Sequence, residues 1–305
     1  MTAPITLAYS PKYLDWTGSH ASPQRAHLAV EHIKARATVE GIDIRSITPR
    51  LKWRQARADL SLVHSDAYIS KVFQGRDEAH ADTVLQGETA TIMFQGTRVL
   101  VEQIEADGFK SQVYFNPQGA KHHAMRSHSS GFCVFNDHAW AAQHFAAQGL
   151  KVAYLDWDAH HGDGVEALTK RSPQILTASI HQHGIFPGTG NRTMQKYNAL
   201  NYPLFAGDGD AELVEAVEDA LYAIHDFEPD VLLVAAGADG YTADPLAQLE
   251  YTLDGFTEAA KLTGQFANDL GIPVLVGGAG GYTPLTYTPI IWSEVVHTIH
   301  RELTN

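Results

Sequence analysis

Cysteine is almost absent from this sequence of 305 residues, in which Cys133 is the only one. A disulfide within the chain and a zinc site built from several cysteines are therefore excluded. Long apolar runs are also missing, and no segment approaches the ~18 apolar residues that span a bilayer. Residues 1–9 contain neither a basic region nor a long apolar stretch, so no secretory signal is predicted there. We expect a cytoplasmic protein with no membrane partner.

Basic residues are scarce as well, with 22 Lys and Arg against 35 Asp and Glu, and the formal net charge is -13. This balance argues against a nucleic-acid partner, because phosphate contacts need clustered Lys and Arg. Hydrophobic residues make up 44% of the chain, enough to bury a large core, which excludes disorder as the main state. No repeat or linker divides the sequence, so we expect one domain over residues 1–305. A homo-oligomer is left open.

Short apolar segments alternate with helical patterns along the chain. The segments are rich in Val, Ile, Leu and Tyr, and several are apolar on both faces, which is typical of buried parallel strands. The predicted strands are residues 6–10, 112–115, 151–155, 175–180, 231–235 and 273–276, and the predicted helices are residues 24–36, 89–105, 136–148, 211–225 and 252–269. The alternation indicates an α/β fold with a parallel sheet between two helical layers.

Acidic and histidine side chains follow two of these strands. In such sheets, the loops that bind ligands follow the carboxyl ends of the strands. Asp158 and His160 are two apart, so in an extended chain they point the same way, with Asp156 beside them. Asp239, after another strand, is the best third ligand. Two carboxylates and one imidazole suit a catalytic Zn²⁺ with an open position, and would also accept Fe²⁺ or Co²⁺. The alternative is that these residues only cap helices and turns.

Two adjacent histidines, His122 and His123, follow the predicted strand 112–115. A water that attacks a substrate needs a base, and a histidine of near-neutral pKa suits that task. Each imidazole needs a partner for its far nitrogen, and Asp156 and Asp163 are the obvious carboxylates. Taken alone, the pair could equally be solvent-exposed or merely hydrogen-bonded.

Aromatic residues accompany several glycine-rich segments. Tyr282 follows the run 277–281, and a phenol there can donate a hydrogen bond to a carbonyl oxygen as it becomes an oxyanion. Phe132 and Phe186 lie in glycine-bounded loops and could flank a narrow channel. For these rings, ordinary packing is the alternative interpretation.

Together these segments resemble the zinc-dependent histone deacetylase superfamily, which includes bacterial acetoin-utilization-type proteins and acetylpolyamine amidohydrolases. The resemblance covers nearly the whole chain and rests on five ordered blocks: His122 and His123 with residues 131–137, and residues 156–164, 186–190, 237–245 and 280–282. It implies the arginase/deacetylase fold, a three-layer α/β/α sandwich with a mostly parallel sheet of about eight strands.

The resemblance also implies roles for individual residues. Asp158, His160 and Asp239 would bind zinc, and Tyr282 would polarise the amide carbonyl. His123 would act as general base and then acid, with His122 beside it and with Asp156 and Asp163 orienting the two rings. An inner monovalent-cation site, usually K⁺, would use Asp156, Asp158, His160, Ser179 and Ile180. The acyl-lysine tunnel would be lined by Gly131, Phe132, Phe186 and Leu246, and Arg25 would line an internal acetate channel.

The sequence departs from the family pattern in two places. The usual HPxRP near the N-terminus reads HASPQR here, at residues 20–25. Residues 116–121, which end in Lys121, differ from the common lead-in RPPGHHA, where glycine directly precedes the histidine pair. The rim aspartate that would grip the substrate backbone falls in a variable stretch, where we assign Asp82.

The predicted activity is hydrolysis of an acyl amide, most simply on the N6-acetyl-lysine of a peptide or protein. The alternative is an acetylated polyamine. Polyamine-specific relatives can place a glutamate seven residues after the third metal ligand, where this chain has Leu246. A ureohydrolase of the same fold would need more metal-bridging carboxylates. An inactive acyl-lysine-binding scaffold would have lost a ligand, Tyr282 or the histidine pair, and none of these is missing.

Overall fold

The computed structural model describes residues 3–17, 22–76 and 84–305. Eight parallel strands in this part of the chain form one sheet, in the order β2-β1-β3-β8-β7-β4-β5-β6. The strands are β1 Ile5–Ala8, β2 Ile44–Ile47, β3 Val113–Asn116, β4 Val152–Asp156, β5 Ile175–Gln182, β6 Ala199–Leu204, β7 Val231–Ala235 and β8 Val274–Gly277. The predicted α/β fold with a parallel sheet is confirmed.

Helices cover both faces of the sheet, and each face has its own apolar core. One core packs α1, α7, α8 and α9 against the sheet, and the other packs α2 to α6. The helices are α1 Gln24–Glu40, α2 Trp53–Leu60, α3 Asp66–Phe73, α4 Val84–Ala106, α5 Asp137–Ala146, α6 Asp163–Thr169, α7 Asp210–Phe227, α8 Leu253–Leu270 and α9 Tyr287–Thr304. None of the helices within the described ranges has both the length and the apolar run that crossing a bilayer requires.

All six predicted strands and all five predicted helices are present, and apart from β7, which has the predicted bounds, their ends are shifted. β2 and β6, the two edge strands of the sheet, were not predicted from the sequence. β2 consists of partly buried and exposed residues, and β6 of buried and partly buried ones. Neither strand has the continuous apolar run of a central strand. Also missed were α2, α3, α6 and α9. The first three are short, and α9 follows a loop that the analysis treated only as a glycine-rich segment.

Candidate active site

The acidic cluster lies where two central strands end side by side. β4 pairs with β7, and Asp156 at the end of β4 lies opposite Ala235. The loops that follow bring Asp158, His160 and Asp239 together in the interior, with one ligand atom of each within 4.8 Å of the others. His160 Nδ1 lies 3.2 Å from Asp158 Oδ1 and 2.8 Å from Asp239 Oδ2. The structure therefore brings together the three residues that the sequence predicted as metal ligands.

Backbone N–H groups fix both carboxylates of this cluster. Asp158 Oδ2 accepts a hydrogen bond from Gly280 N at 2.6 Å, and Asp239 Oδ1 accepts one from Ala159 N at 2.9 Å. These bonds leave Asp158 Oδ1 and Asp239 Oδ2 facing the imidazole of His160. Such outer contacts are what orients the ligands of a metal site.

The electrostatics of the cluster are those of a cation site. Burial alone lowers the pKa of His160, but hydrogen bonds to Asp158 and Asp239 raise it to about 11. Burial and the nearby charge of Asp158 raise the pKa of Asp239 to about 6. Two carboxylates forced together away from water repel each other, and a divalent ion relieves that repulsion. The two oxygens and one nitrogen fit a catalytic zinc ion with an open position.

The two adjacent histidines pair with separate carboxylates. His122 Nδ1 donates to Asp156 Oδ2 at 2.8 Å, and His123 Nδ1 donates to Asp163 Oδ1 at 2.7 Å. Both rings are buried, and their centroids are 4.0 Å apart. The sequence indicated these two carboxylates as partners of the histidines without assigning one to each ring. With each Nδ1 bonded to an acid, each Nε2 is the nitrogen left to meet other groups.

The two rings differ in protonation. Burial lowers the pKa of His122, but the charges of Asp156 and Asp158 outweigh burial and raise it to about 9. Burial and the positive charge of His122 lower the pKa of His123 to about 4. At neutral pH His122 is therefore a cation and His123 is neutral, and a neutral imidazole can accept a proton.

Tyr282 is held beside this cluster by Asp244, which the sequence analysis noted only as part of a motif. Asp244 Oδ2 accepts a hydrogen bond from Tyr282 N at 2.7 Å, and Asp244 Oδ1 accepts one from Leu246 N at 3.0 Å. Burial raises the pKa of the Tyr282 phenol well above its usual value, so the phenol keeps its proton. One carboxylate thus fixes both the candidate oxyanion donor and a residue of the pocket wall.

A pocket of about 460 Å³ opens above these groups. Its lining comprises His123, Gly131, Phe132, His160, Ile185, Phe186, Leu246 and Tyr282. The ring of Phe186 packs edge-on against His123 at 4.9 Å, and the ring of Phe132 lies 6.1 Å from that of Tyr282. All four residues predicted for the tunnel line the pocket. Among the described residues, those that line the pocket include no carboxylate, and its walls there are mainly apolar.

The remaining predicted residues lie around the cluster. Arg25 is buried, donates from Nη1 to Gly281 O at 2.6 Å and lies under the ring of Tyr282. Ser179 lies opposite Asp156 across β4 and β5, and Ile180 follows it in the interior. The monovalent-cation site stays a prediction, which this strand pairing supports. Asp82 falls outside the described residues.

Some residues of the site were missed by sequence reasoning. Tyr154 donates its hydroxyl to Asp156 Oδ2 at 2.6 Å, and its position two residues before Asp156 on the same strand could have indicated this. Ile185 on the pocket wall precedes Phe186 directly. His64 Nδ1 donates to Met125 O at 2.9 Å, and its Nε2 accepts a hydrogen bond from Asn136 N at 2.9 Å. No local pattern marks that contact, because it joins segments far apart in the chain.

Comparison with known proteins agrees with this geometry. The family model for the histone deacetylase domain matches residues 19–299. The chain is 32% identical to the acetoin utilization protein AcuC of Bacillus subtilis, over 94% of this chain and 80% of that protein. The chain belongs to the histone deacetylase family. Histone deacetylase 8 of Xenopus tropicalis is 27% identical over 85% of this chain and 74% of its own length. Histone deacetylase 1 of Homo sapiens is 32% identical over 74% of this chain and half of its own length.

Family membership confirms the resemblance found in the sequence. The protein is an amide deacetylase, a hydrolase whose family-type cluster of buried Asp158, His160 and Asp239 could bind a metal ion.

Proposed function

We propose that this deacetylase is zinc-dependent and that it removes the acetyl group from N6-acetyl-lysine in peptides or proteins. The observation that carries the proposal is the pocket, whose inner end is formed by His123, His160 and Tyr282. Its wall includes Phe132, Phe186 and Leu246, so the four methylenes of a lysine side chain would be surrounded by apolar groups.

Asp158, His160 and Asp239 would hold the zinc ion. The ion would supply Lewis-acid polarisation of the substrate carbonyl. His123 is neutral and oriented by Asp163, so it would take the proton of the attacking water at Nε2 and then give it to the leaving amine. Tyr282 keeps its proton and would donate a hydrogen bond to the developing oxyanion.

Apolar walls favour a lysine side chain over a polyamine as the amine portion of the substrate. An acetylated polyamine carries a further ammonium group, which needs an acidic or hydrogen-bonding wall when it leaves water. Leu246 occupies the position where a gating glutamate could stand, and it is about one-third exposed at the pocket. At Leu246 the pocket wall is therefore neutral, whereas the additional ammonium group of an acetylated polyamine would need a negative charge there.

The test is acetate release by the zinc-loaded protein on an acetyl-lysine peptide and on acetylputrescine, measured side by side. We expect a higher kcat/KM on the peptide. A much higher value on acetylputrescine would contradict the peptide substrate and make the polyamine the substrate. Replacing Tyr282 with Phe should lower kcat about 10²–10³-fold, and a normal rate in this variant would remove the proposed oxyanion role.

A further inference from the structure

Positive charge is concentrated in one segment of this acidic chain. Residues 44–58 contain five Lys and Arg and no Asp or Glu, although acids outnumber bases by 35 to 22 in the whole chain. Arg45, near the start of this segment, pairs with Asp107, and Arg57, near its end, donates to Ser70. The three cations between them, which we call the basic patch, are Arg50, Lys52 and Arg54.

All three residues of the basic patch are exposed, and among the residues that the structure describes none of them forms an ion pair. The patch leads into α2, whose first turn contains no acid. Like charges repel each other, and the N-terminal end of a helix is itself partially positive. The described part of the chain therefore supplies no counter-charge to the patch, and an anion from outside would stabilise it.

The basic patch has a rigid support. The ring of Trp53, which lies between two of the cations, packs edge-on against Phe73 at 4.5 Å. Ala56 and Leu60 on the same helix are buried, and so is Pro49 directly before the patch. Because the backbone under the cations is already ordered, binding an anion there costs little further ordering of the backbone.

A groove of about 300 Å³ lies beside the basic patch, and Arg50 is among its lining residues. The charged residues that line it balance, with Lys12 and Arg50 against Asp15 and Glu88. Lys12 also pairs with Asp15 at 3.1 Å. The groove is therefore neutral, and the excess positive charge lies beside it on the patch. A neutral groove next to exposed cations suits an extended peptide better than a single ion.

The basic patch and the metal cluster lie at the same edge of the sheet. The patch follows β2, and the cluster follows β4 and β7, so both are at the carboxyl ends of parallel strands. Three strands lie between β2 and β7, and at ~4.8 Å per strand spacing the patch is roughly 20 Å from the cluster. An extended peptide advances ~3.3 Å per residue, so side chains about six to eight residues from an acyl-lysine in the pocket reach the patch.

We propose that the basic patch binds an acidic segment of the acylated protein, so that this enzyme prefers acyl-lysines about six to eight residues from a run of Asp or Glu. This inference rests on the proposed acyl-lysine hydrolase function. A protein segment fits better than a nucleic acid. Three cations match a short run of carboxylates, whereas the phosphates of a nucleic acid would continue past the patch along a chain of net charge -13. The attraction promotes encounter and lowers KM, and it does not change kcat.

The test uses the zinc-loaded protein and three peptides of equal length with the same acetyl-lysine and the same adjacent residues. Two of them carry three Glu about six to eight residues from the acetyl-lysine, one on its N-terminal side and one on its C-terminal side, and the third carries Gln instead. We expect one Glu peptide to exceed the Gln peptide about 3–10-fold in kcat/KM at low salt, through KM. This gain should disappear in about 0.5 M salt, which screens exposed charges.

Replacing all three residues of the basic patch with Gln should abolish the gain and leave kcat on the Gln peptide unchanged. The matched control removes the same charge from exposed positions that precede β3 and β5, at the opposite edge of the sheet, and should keep the gain: Lys110→Gln, Lys170→Gln and Arg171→Gln together. Equal losses in the two variants would assign the effect to net charge and overturn the inference. So would the absence of a gain from either Glu peptide, with the deacetylase activity intact.

A second readout does not need turnover. Fluorescence anisotropy of a labelled peptide that carries the Glu run without acetyl-lysine measures binding to the patch directly, and we expect the loss of the three cations to weaken this binding about 3–10-fold. If no acetyl-lysine peptide is hydrolysed, the proposed function fails, and the anisotropy alone decides whether the patch binds an acidic segment. Binding of a single-stranded oligo-dT through the patch, with no gain from either Glu peptide, would overturn the inference in favour of a nucleic-acid site.

Discussion

Two histidine–aspartate pairs lie side by side at the carboxyl edge of the sheet, and they carry different charges. The inner pair is His122 with Asp156, and the pocket pair is His123 with Asp163. Their hydrogen bonds have nearly equal lengths, 2.8 and 2.7 Å, so the bond to the acid does not separate them. His122 has a further carboxylate, Asp158, 3.7 Å from its Nε2, whereas His123 has the cationic ring of His122 beside it. The surroundings of each pair therefore determine which histidine can accept a proton.

The largest expected effect distinguishes the two rings directly. His123→Gln should lower kcat on an acetyl-lysine peptide by about 10²–10⁴-fold, the usual contribution of a general base. His122→Gln should lower kcat less, because His122 supplies charge rather than proton transfer. Steady-state kinetics of both zinc-loaded variants, with circular dichroism to verify folding, measures the difference. Equal losses would show that the two rings act as one unit.

Substitutions of the two carboxylates should also affect the two histidine–aspartate pairs differently. Asp163→Asn should reduce kcat about 10–100-fold, because His123 loses its orienting acid, with little change in zinc affinity. Asp156→Asn should also weaken zinc binding, since it removes a negative charge beside the proposed ligand Asp158, whose backbone N lies 3.0 Å from Asp156 Oδ1. Competition with a chelator gives the zinc Kd. Equal zinc affinities in the two variants would contradict this division.

His64 is a buried histidine that pairs with no acid among the residues the structure describes, so its effect on stability can be compared with the two acid-paired histidines. Burial lowers its pKa to about 4, although the hydrogen bond that the ring donates to Met125 O favours the charged form. Nε2 accepts a hydrogen bond from Asn136 N, which only the neutral ring can do. The unfolded chain takes up a proton near pH 6.5, so stability is full above that pH and falls as pH decreases toward 4. The loss due to His64 between pH 7 and pH 5 should be about 2 kcal/mol.

Urea unfolding at pH 7 and pH 5 measures this contribution. Between pH 7 and pH 5, the free energy of unfolding of His64→Gln should fall by about 2 kcal/mol less than that of the unsubstituted protein, because the variant lacks the titrating ring of His64. The subtraction removes the contributions of the other buried histidines. An identical pH dependence in the variant would show that His64 does not titrate as its contacts imply.

The smallest expected effect concerns the inner pair alone. Tyr154→Phe removes the hydroxyl that donates to Asp156 at 2.6 Å, which should cost about 1 kcal/mol of stability. Because His123 and Asp163 keep their contacts, kcat should fall by no more than a few-fold. Tyr222→Phe, at an exposed position, is the matched control for thermal unfolding. A loss of kcat as large as that of His123→Gln would mean that the pairs are not separable.

The central part of the site could be predicted from the sequence because its residues occur in short motifs at strand ends. Asp156, Asp158 and His160 are two apart, and an extended chain places such residues together. Asp239 needed one further assumption, that β4 and β7 are neighbours, and the sheet order confirms it. The fold class could be predicted from the alternation of strands and helices. The edge strands were missed because they lack a continuous apolar run.

A small cavity behind the pocket, lined by residues that include Arg25, Lys121 and Tyr282, could not be predicted from the sequence, because packing between distant segments creates it. Arg25 comes from α1, Lys121 follows β3, and Tyr282 follows β8. Each is separated from the others by at least 96 residues, and no spacing rule links them. The sequence showed that the segment before the histidine pair was unusual, but not which way the lysine would point. A cavity is a property of how elements fit together rather than of any one element.

Asp244 links the pocket wall at Leu246 to Tyr282, the proposed oxyanion donor. Its two oxygens hold the backbone of Leu246 on the pocket wall and the backbone of Tyr282 beside the metal cluster. Substitutions that widen the pocket by moving the segment around Leu246 will therefore disturb the phenol as well. The segment after Phe186, on the pocket wall, is anchored separately, by a hydrogen bond between His161 and Thr189 and by one from His181 to Gly190 O. An engineer who wants a new acyl-amine specificity without a slower enzyme should begin there.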